Sequence, residues 1–260
     1  MIDEQDAGRP AATVVIVRDR PDGSPELLMM ERAATMAFAA GALVFPGGAV
    51  DEGDHVLARR IDHRLDPDEA AARIAAIRET IEESGLGIGL ATGEGGVVDA
   101  ATVLRLRDGL QDGRSVADLI DRHGLHIDFQ ALTPFARWHP APFERARRVF
   151  DTRFYLARAP QGQVASVDST ENVRLFWSSA ADTLAMAQAG TVQVIFPTRR
   201  NLERLALHAS HADLVADARR YPVDKVRPWR EERDGETHLC IPTGLGYPVT
   251  SEPMRQVRRA

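Results

Sequence analysis

The stretch Arg78-Glu79-Thr80-Ile81-Glu82-Glu83-Ser84-Gly85-Leu86 carries three carboxylates whose spacing can do chemistry. On a helix, positions 79, 82 and 83 are related as i, i+3 and i+4 and lie on one face. Like charges so placed oppose the helix by about 0.2–0.5 kcal/mol per pair, so stability alone does not favour them. A hard divalent cation removes the conflict, because Mg²⁺ is held by a few carboxylate oxygens together with substrate phosphates and water. For this string taken alone, a solvated acidic face with an Arg78–Glu82 ion pair remains the other reading.

Upstream residues favour the metal. Phe45-Pro46-Gly47-Gly48 ends an apolar run, and Asp51, Glu52 and Asp54 follow it. Adjacent glycines let a backbone turn tightly and approach a ligand without a Cβ in the way. A free carbonyl of Gly47 or Gly48 near the carboxylates would add an oxygen ligand, which makes Gly48 a candidate metal ligand beside Glu79, Glu82 and Glu83.

The elements that must position these groups are legible in part. Asp66-Pro67-Asp68-Glu69 reads as a helix start: Asp66 is the N-cap, Pro67 takes the first position and Glu69 closes a capping box. Ala70, Ala71, Ile74, Ala75, Ile77, Thr80 and Ile81 form an apolar stripe, and Gly85 is the stop. The spacing predicts one helix over 67–84. Strands are expected at 12–18, 26–31, 42–45, 132–138, 148–158 and 172–177, with a further one at 237–241. Helices are expected at 100–110, 115–123, 180–189, 198–209 and 211–219, and a glycine-rich loop at 87–96.

These residues resemble the Nudix hydrolase signature, G-x5-E-x7-R-E-U-x-E-E-x-G-U, where U is a bulky apolar residue. Gly48 to Asp54 matches its first half and Arg78 to Leu86 its second. Asp54 stands where the pattern has Glu, and Thr80 stands at its first apolar position. Twenty-three residues separate Asp54 from Arg78 where the pattern has seven, an insertion of 16 covering roughly 55–69. Such an insertion is similar to that of the acyl-coenzyme A diphosphatase branch. So are Leu27 to Arg32, Phe135 to Trp138, Arg147 to Tyr155, Glu171 to Ser178 and Phe196 to Leu202. A related coenzyme A pattern matches at Arg32, Ala33, Gly41 and Phe45–Gly48, but its second arginine is Ala37 here.

The resemblance implies an α/β fold: a Nudix-type α/β/α sandwich around a mixed β-sheet, with additional helices. It implies a domain over 10–220 with a helical addition at 97–124 forming one wall of the pocket, a disordered 1–9 and an extension over 221–260. The insertion is expected to bulge away from the metal. The implied activity is Mg²⁺- or Mn²⁺-dependent hydrolysis of a diphosphate bond, with coenzyme A or acyl-coenzyme A as substrate. An ADP-ribose or nucleotide-sugar diphosphatase is the alternative, and a non-catalytic nucleotide sensor is disfavoured because all three glutamates are present. The implied catalytic residues are Arg78, Glu79, Glu82, Glu83 and Glu171, the last as a general base or extra acidic ligand. Those facing substrate are Arg32, Phe38, Gly47 and Gly48. Phe154 could stack on adenine, with burial in the core as its other reading.

Composition narrows the class. The 260 residues are 44% hydrophobic and 27% charged, as in an ordinary globular enzyme. A net charge of −6 argues against a general nucleic-acid binder. Cys240 is the one cysteine, so no internal disulfide forms and a cytoplasmic setting is expected. The eight histidines are scattered, and His208 and His211, at i, i+3 spacing, lack a third ligand, so zinc is not expected. No membrane association is expected, and the partner is a small nucleotide-type substrate, with a homodimer left open.

Overall fold

The computed structural model describes residues 8–21, 23–33, 39–93, 95–140, 149–167 and 172–257. The chain begins with strand β1 (Arg9–Arg18), a hairpin return β2 (Glu26–Arg32), and two short strands flanking the Phe45-Pro46 step, β3 (Ala42–Val44) and β4 (Gly47–Ala49). Helices α1 (Glu52–Arg60) and α2 (Pro67–Ser84) follow, then β5 (Leu90–Thr92), α3 (Ala100–Gln111), α4 (Val116–His123) and β6 (Leu125–Ile127). Strands β7 (Thr133–Trp138), β8 (Phe150–Arg158) and β9 (Asn172–Ser179) lead into α5 (Ala180–Gln188), β10 (Gln193–Val194), α6 (Phe196–Leu205) and α7 (His211–Arg220). The extension adds β11 (Lys225–Val226), β12 (Trp229–Arg233), β13 (Glu236–Cys240), β14 (Ser251–Pro253) and a short α8 (Met254–Val257).

Among the described residues, nine strands form one mixed sheet in the order β10-β3-β2-β1-β8-β7-β11, with β4 also pairing β1 and β9 pairing β2. Its centre is the parallel pair β1–β8, in register from Arg9↔Phe150 to Val17↔Arg158. The apolar run of β1 follows from burial on both faces. Ala12, Val14 and Ile16 point into a core with α2, α3 and α4, whereas Val15 and Val17 point into a second core with α5, α6 and α7. Helices on both faces of a mixed sheet make the α/β/α sandwich.

Several boundaries depart from expectation. Arg9 was expected in a disordered segment but opens β1, because its backbone pairs with β8; residues 1–7 lie outside the described residues. Within the glycine-rich stretch, Leu90–Thr92 forms an antiparallel pair with Leu125–Ile127, a contact no local pattern announces. The insertion is not a bare loop: it contributes α1, whose Leu57 and Ala58 are buried in the first core with α2. Helices α3 and α4 join that same core, bringing Val103, Leu106, Leu119 and Ile120 against the α2 layer.

The extension is built into the fold. Val226, Ile241, Leu245 and Tyr247 are buried in the second core. The Tyr247 hydroxyl accepts from Trp138 Nε1 at 2.8 Å and donates to Asn201 Oδ1 at 3.0 Å, so one buried hydroxyl ties the extension to β7 and α6. Phe154 is also buried in the second core, so core packing, not adenine stacking, accounts for it.

Candidate active site

Helix α2 carries the site. Its start is fixed by the Asp66 side chain, which accepts from Asp68 N and Glu69 N at 3.0 and 3.3 Å, a cap contributing about 1 kcal/mol. Glu69 does not complete a capping box; its carboxylate pairs with Arg73 at 2.9 Å and Arg153 at 3.2 Å. Gly85 ends the helix in the left-handed conformation, φ +67°. Ala70 through Ile77 are buried, and so is Thr80, whose hydroxyl donates to the Ala76 carbonyl at 2.7 Å. That bond satisfies a polar atom where the Nudix signature has an apolar residue.

One side of α2 presents Arg78, Glu79, Glu82 and Glu83 to the Gly47–Gly48 strand. Arg78 is the hub. Its Nε and Nη2 grip Asp54 at 3.0 and 2.9 Å, and Nη2 also donates to the Ala49 carbonyl at 3.0 Å. Its Nη1 donates to Glu79 at 2.8 Å and to Glu82 at 3.2 Å. Burial alone would lower the guanidinium pKa, but the Asp54 hydrogen bonds and the charges of Glu79, Asp54 and Glu82 outweigh it and raise it. Arg78 thus holds Glu79, the strand that carries Gly48, and Asp54 together.

Glu83 faces elsewhere. It accepts from Gly47 N at 2.8 Å and from Asn172 Nδ2 at 3.3 Å. Burial pushes its pKa up to about 8, with Glu79 adding to the rise and Arg32 opposing it. Burial likewise lifts Glu79 to about 7, and Glu82 is raised for the same reason. Arg32 therefore lies within electrostatic reach of the cluster, at the end of β2 opposite Asn172.

The glycines are required by close approach. A Cβ on Gly48 would stand 2.3–2.7 Å from the Glu79 carboxylate atoms; one on Gly47 would stand 2.3 Å from Ala12 O. Gly48 thus lies against Glu79.

In this conformation the three glutamates do not converge on one point. Among the described residues, no three Asp, Glu, His or Cys side chains are grouped to hold a metal ion. The physical reason is Arg78, which takes up Glu79 and Glu82 while Glu83 turns to Gly47 and Asn172. The donor chemistry still fits a hard dication. Asp54, Glu79 and Glu82 share one guanidinium, Glu83 has none, and burial disfavours the ionised form of all three glutamates, a cost that a bound cation would offset. Glu79, Glu82, Glu83 and the Gly48 carbonyl are oxygen donors of the kind such an ion takes.

Phe38 and Glu171 lie outside the described residues. Two positions that sequence reasoning left out belong to the site's frame, Asn172 on Glu83 and Arg107, which donates to the Glu82 carbonyl at 2.9 Å; a third, Asp54 under Arg78, was named there without a role in the site. Asp54 had a signal in the signature's first half. Asn172 and Arg107 act across 89 and 25 residues of chain, where local pattern carries no information.

Comparison with known proteins bears on the family and the fold. Human acyl-coenzyme A diphosphatase NUDT19 is 26% identical over 251 residues, covering 79% of this chain and 67% of the human protein. The crystal structure of a Nudix hydrolase from Alicyclobacillus acidocaldarius shares 29% identity and a TM-score of 0.66, over 80% of this chain and 95% of that one. The NUDT19 Nudix domain family profile matches residues 56–205, more than half of the sequence and all of α2. The chain belongs to the NUDT19 Nudix domain family and is a Nudix hydrolase.

Proposed function

We propose that this Nudix hydrolase cleaves the diphosphate bond of coenzyme A or an acyl-coenzyme A, using Mg²⁺ or Mn²⁺. The observation that carries the reading is the half-buried carboxylate cluster of α2, set against Gly47–Gly48 with Arg32 in electrostatic reach. The human relative's activity toward acyl-coenzyme A supports the substrate class.

Water adds to one phosphorus, and the bridging oxygen leaves with the other phosphate. The products are adenosine 3′,5′-bisphosphate and a 4′-phosphopantetheine or its acyl ester. When bound, the dication would neutralise charge on the diphosphate and lower the pKa of water, held by Glu79, Glu82, Glu83 and the Gly48 carbonyl. Arg78 keeps Glu79, Glu82 and the Ala49 carbonyl in fixed relation through its planar fork. Gly47 N and Asn172 orient Glu83. Arg32 is assigned to a substrate phosphate, Phe38 to the adenine side of the pocket and Glu171 to the general base.

Ala37, where the coenzyme A pattern has arginine, favours the second reading, an ADP-ribose or nucleotide-sugar diphosphatase. No described helix is long and apolar enough to cross a membrane, and the free, buried Cys240 suits a reducing cytoplasm. A product-mapping screen with Mg²⁺ or Mn²⁺ across coenzyme A esters, ADP-ribose, dinucleotides and nucleoside triphosphates tests the assignment. Preferred cleavage of coenzyme A species supports it; preference for ADP-ribose replaces the substrate and leaves the chemistry standing.

A further inference from the structure

Glu82 and Glu83 sit in the last turn of α2, where the helix dipole is negative and no basic residue of the helix itself compensates. The last four carbonyls of a helix also lack intrahelical partners. All four are satisfied here, and the donors are informative. Ile81 O takes Gly85 N at 2.9 Å, and Ser84 O takes Ser166 N at 2.9 Å. The two between, Glu82 O and Glu83 O, take Arg107 Nε at 2.9 Å and Nη2 at 3.3 Å. The third arm, Nη1, donates to Ser166 Oγ at 2.8 Å. Arg107 comes from α3, in the helical addition, and is 6% exposed. One cation from outside thus closes the carbonyls of the two residues whose side chains belong to the carboxylate cluster.

We propose that Arg107 is a positioning residue: it fixes the final turn of α2 and so sets the placement of the Glu82 and Glu83 carboxylates. The helical addition then has a role in catalysis without touching substrate. A fork is required, because a single ammonium cannot span two successive carbonyls and Ser166 together. The proposal rests on the metal-dependent hydrolysis proposed above.

The test compares Arg107→Met and Arg107→Lys with Leu106→Ala, a change to the neighbouring α3 residue, which is buried in the first core and touches no α2 carbonyl through its side chain. Melting, Mn²⁺ affinity of the folded protein, kcat and KM, and hydrogen exchange of amides 82–87 are measured for each. Arg107→Met is expected to weaken Mn²⁺ binding and lower kcat about tenfold or more, with KM changed far less, and to speed exchange at 82–87. Arg107→Lys recovers part of both losses. Leu106→Ala melts earlier but keeps its Mn²⁺ affinity and kcat. Equal kinetic and exchange effects in Arg107→Met and Leu106→Ala overturn the proposal, since the loss is then general destabilisation. An inactive wild type with unaltered exchange behaviour among the variants would instead count against both readings, whereas inactivity with fast exchange only in Arg107→Met removes the functional reading alone.

Discussion

Asp54 and Arg78 are joined by two hydrogen bonds, Nε to Oδ1 at 3.0 Å and Nη2 to Oδ2 at 2.9 Å, with Asp54 only 1% exposed. The pair closes the insertion: α1 leaves the site at Asp54 and α2 brings the chain back at Arg78. The same guanidinium reaches Glu79, Glu82 and the Ala49 carbonyl, so three segments share one cation.

Replacing Arg78 by Lys keeps the charge and loses the fork. Removing one partner of a buried ion pair costs about 3–5 kcal/mol, and a lysine that still reaches Asp54 should cost less. The expected result is a modest fall in melting temperature with a loss of turnover of about a hundredfold, read by thermal melting and steady-state kinetics. Near-normal turnover would show that the hub is not needed for catalysis.

The two glycines should separate stability from activity. In Gly48→Ala the new methyl meets the far end of the Glu79 side chain, which can swing away. Little stability is lost, but Glu79 is displaced and kcat falls at least about tenfold. In Gly47→Ala the methyl meets the Ala12 carbonyl and Thr13 Cα, which are backbone and cannot yield cheaply. Stability then falls by about 2 kcal/mol or more. Denaturant melts and kinetics on both variants check the contrast.

Metal stabilisation should depend on pH in a direction that burial sets. Burial lifts Glu79 to about 7 and Glu83 to about 8 in the metal-free chain, against an ordinary 4.5. A raised carboxyl pKa favours the fold below 4.5, and that contribution is lost as pH rises through 7 and 8. A bound dication favours the ionised forms and releases protons. The rise in melting temperature produced by Mg²⁺ should therefore grow between about pH 6 and pH 8.5. A flat or shrinking increment, followed by differential scanning fluorimetry, speaks against these carboxylates as ligands.

The extension should matter for stability and not for chemistry. Tyr247→Phe removes the hydroxyl that links Trp138 Nε1 to Asn201 Oδ1. Loss of this buried link is expected to cost about 1–2 kcal/mol in a denaturant melt, with kcat unchanged.

The sequence made α2 readable because its ends obey local rules: Asp66 and Pro67 start it and a left-handed Gly85 stops it. The acidic face was readable for the same reason, since i, i+3 and i+4 are fixed by the helix alone. Its electrostatics were not. Whether Glu83 meets a cation, Gly47 N or Asn172 depends on which strand lies across from it. Leu90–Thr92 hid among glycines because its pairing partner lies at 125–127. The core role of Tyr247 was hidden too, because a charged, proline-containing tail gives no periodic signal for the buried residues it carries.

The most direct test of the central claim is turnover of coenzyme A as a function of Mn²⁺ concentration, for the wild type and Glu83→Gln side by side. The wild type should be inactive without the ion and saturate with it, releasing adenosine 3′,5′-bisphosphate, while Glu83→Gln, folded and nearly as stable, should run slower by about two orders of magnitude or more. Metal-independent turnover by the wild type, or a Glu83→Gln rate close to it, would contradict the assignment of these carboxylates to a catalytic ion.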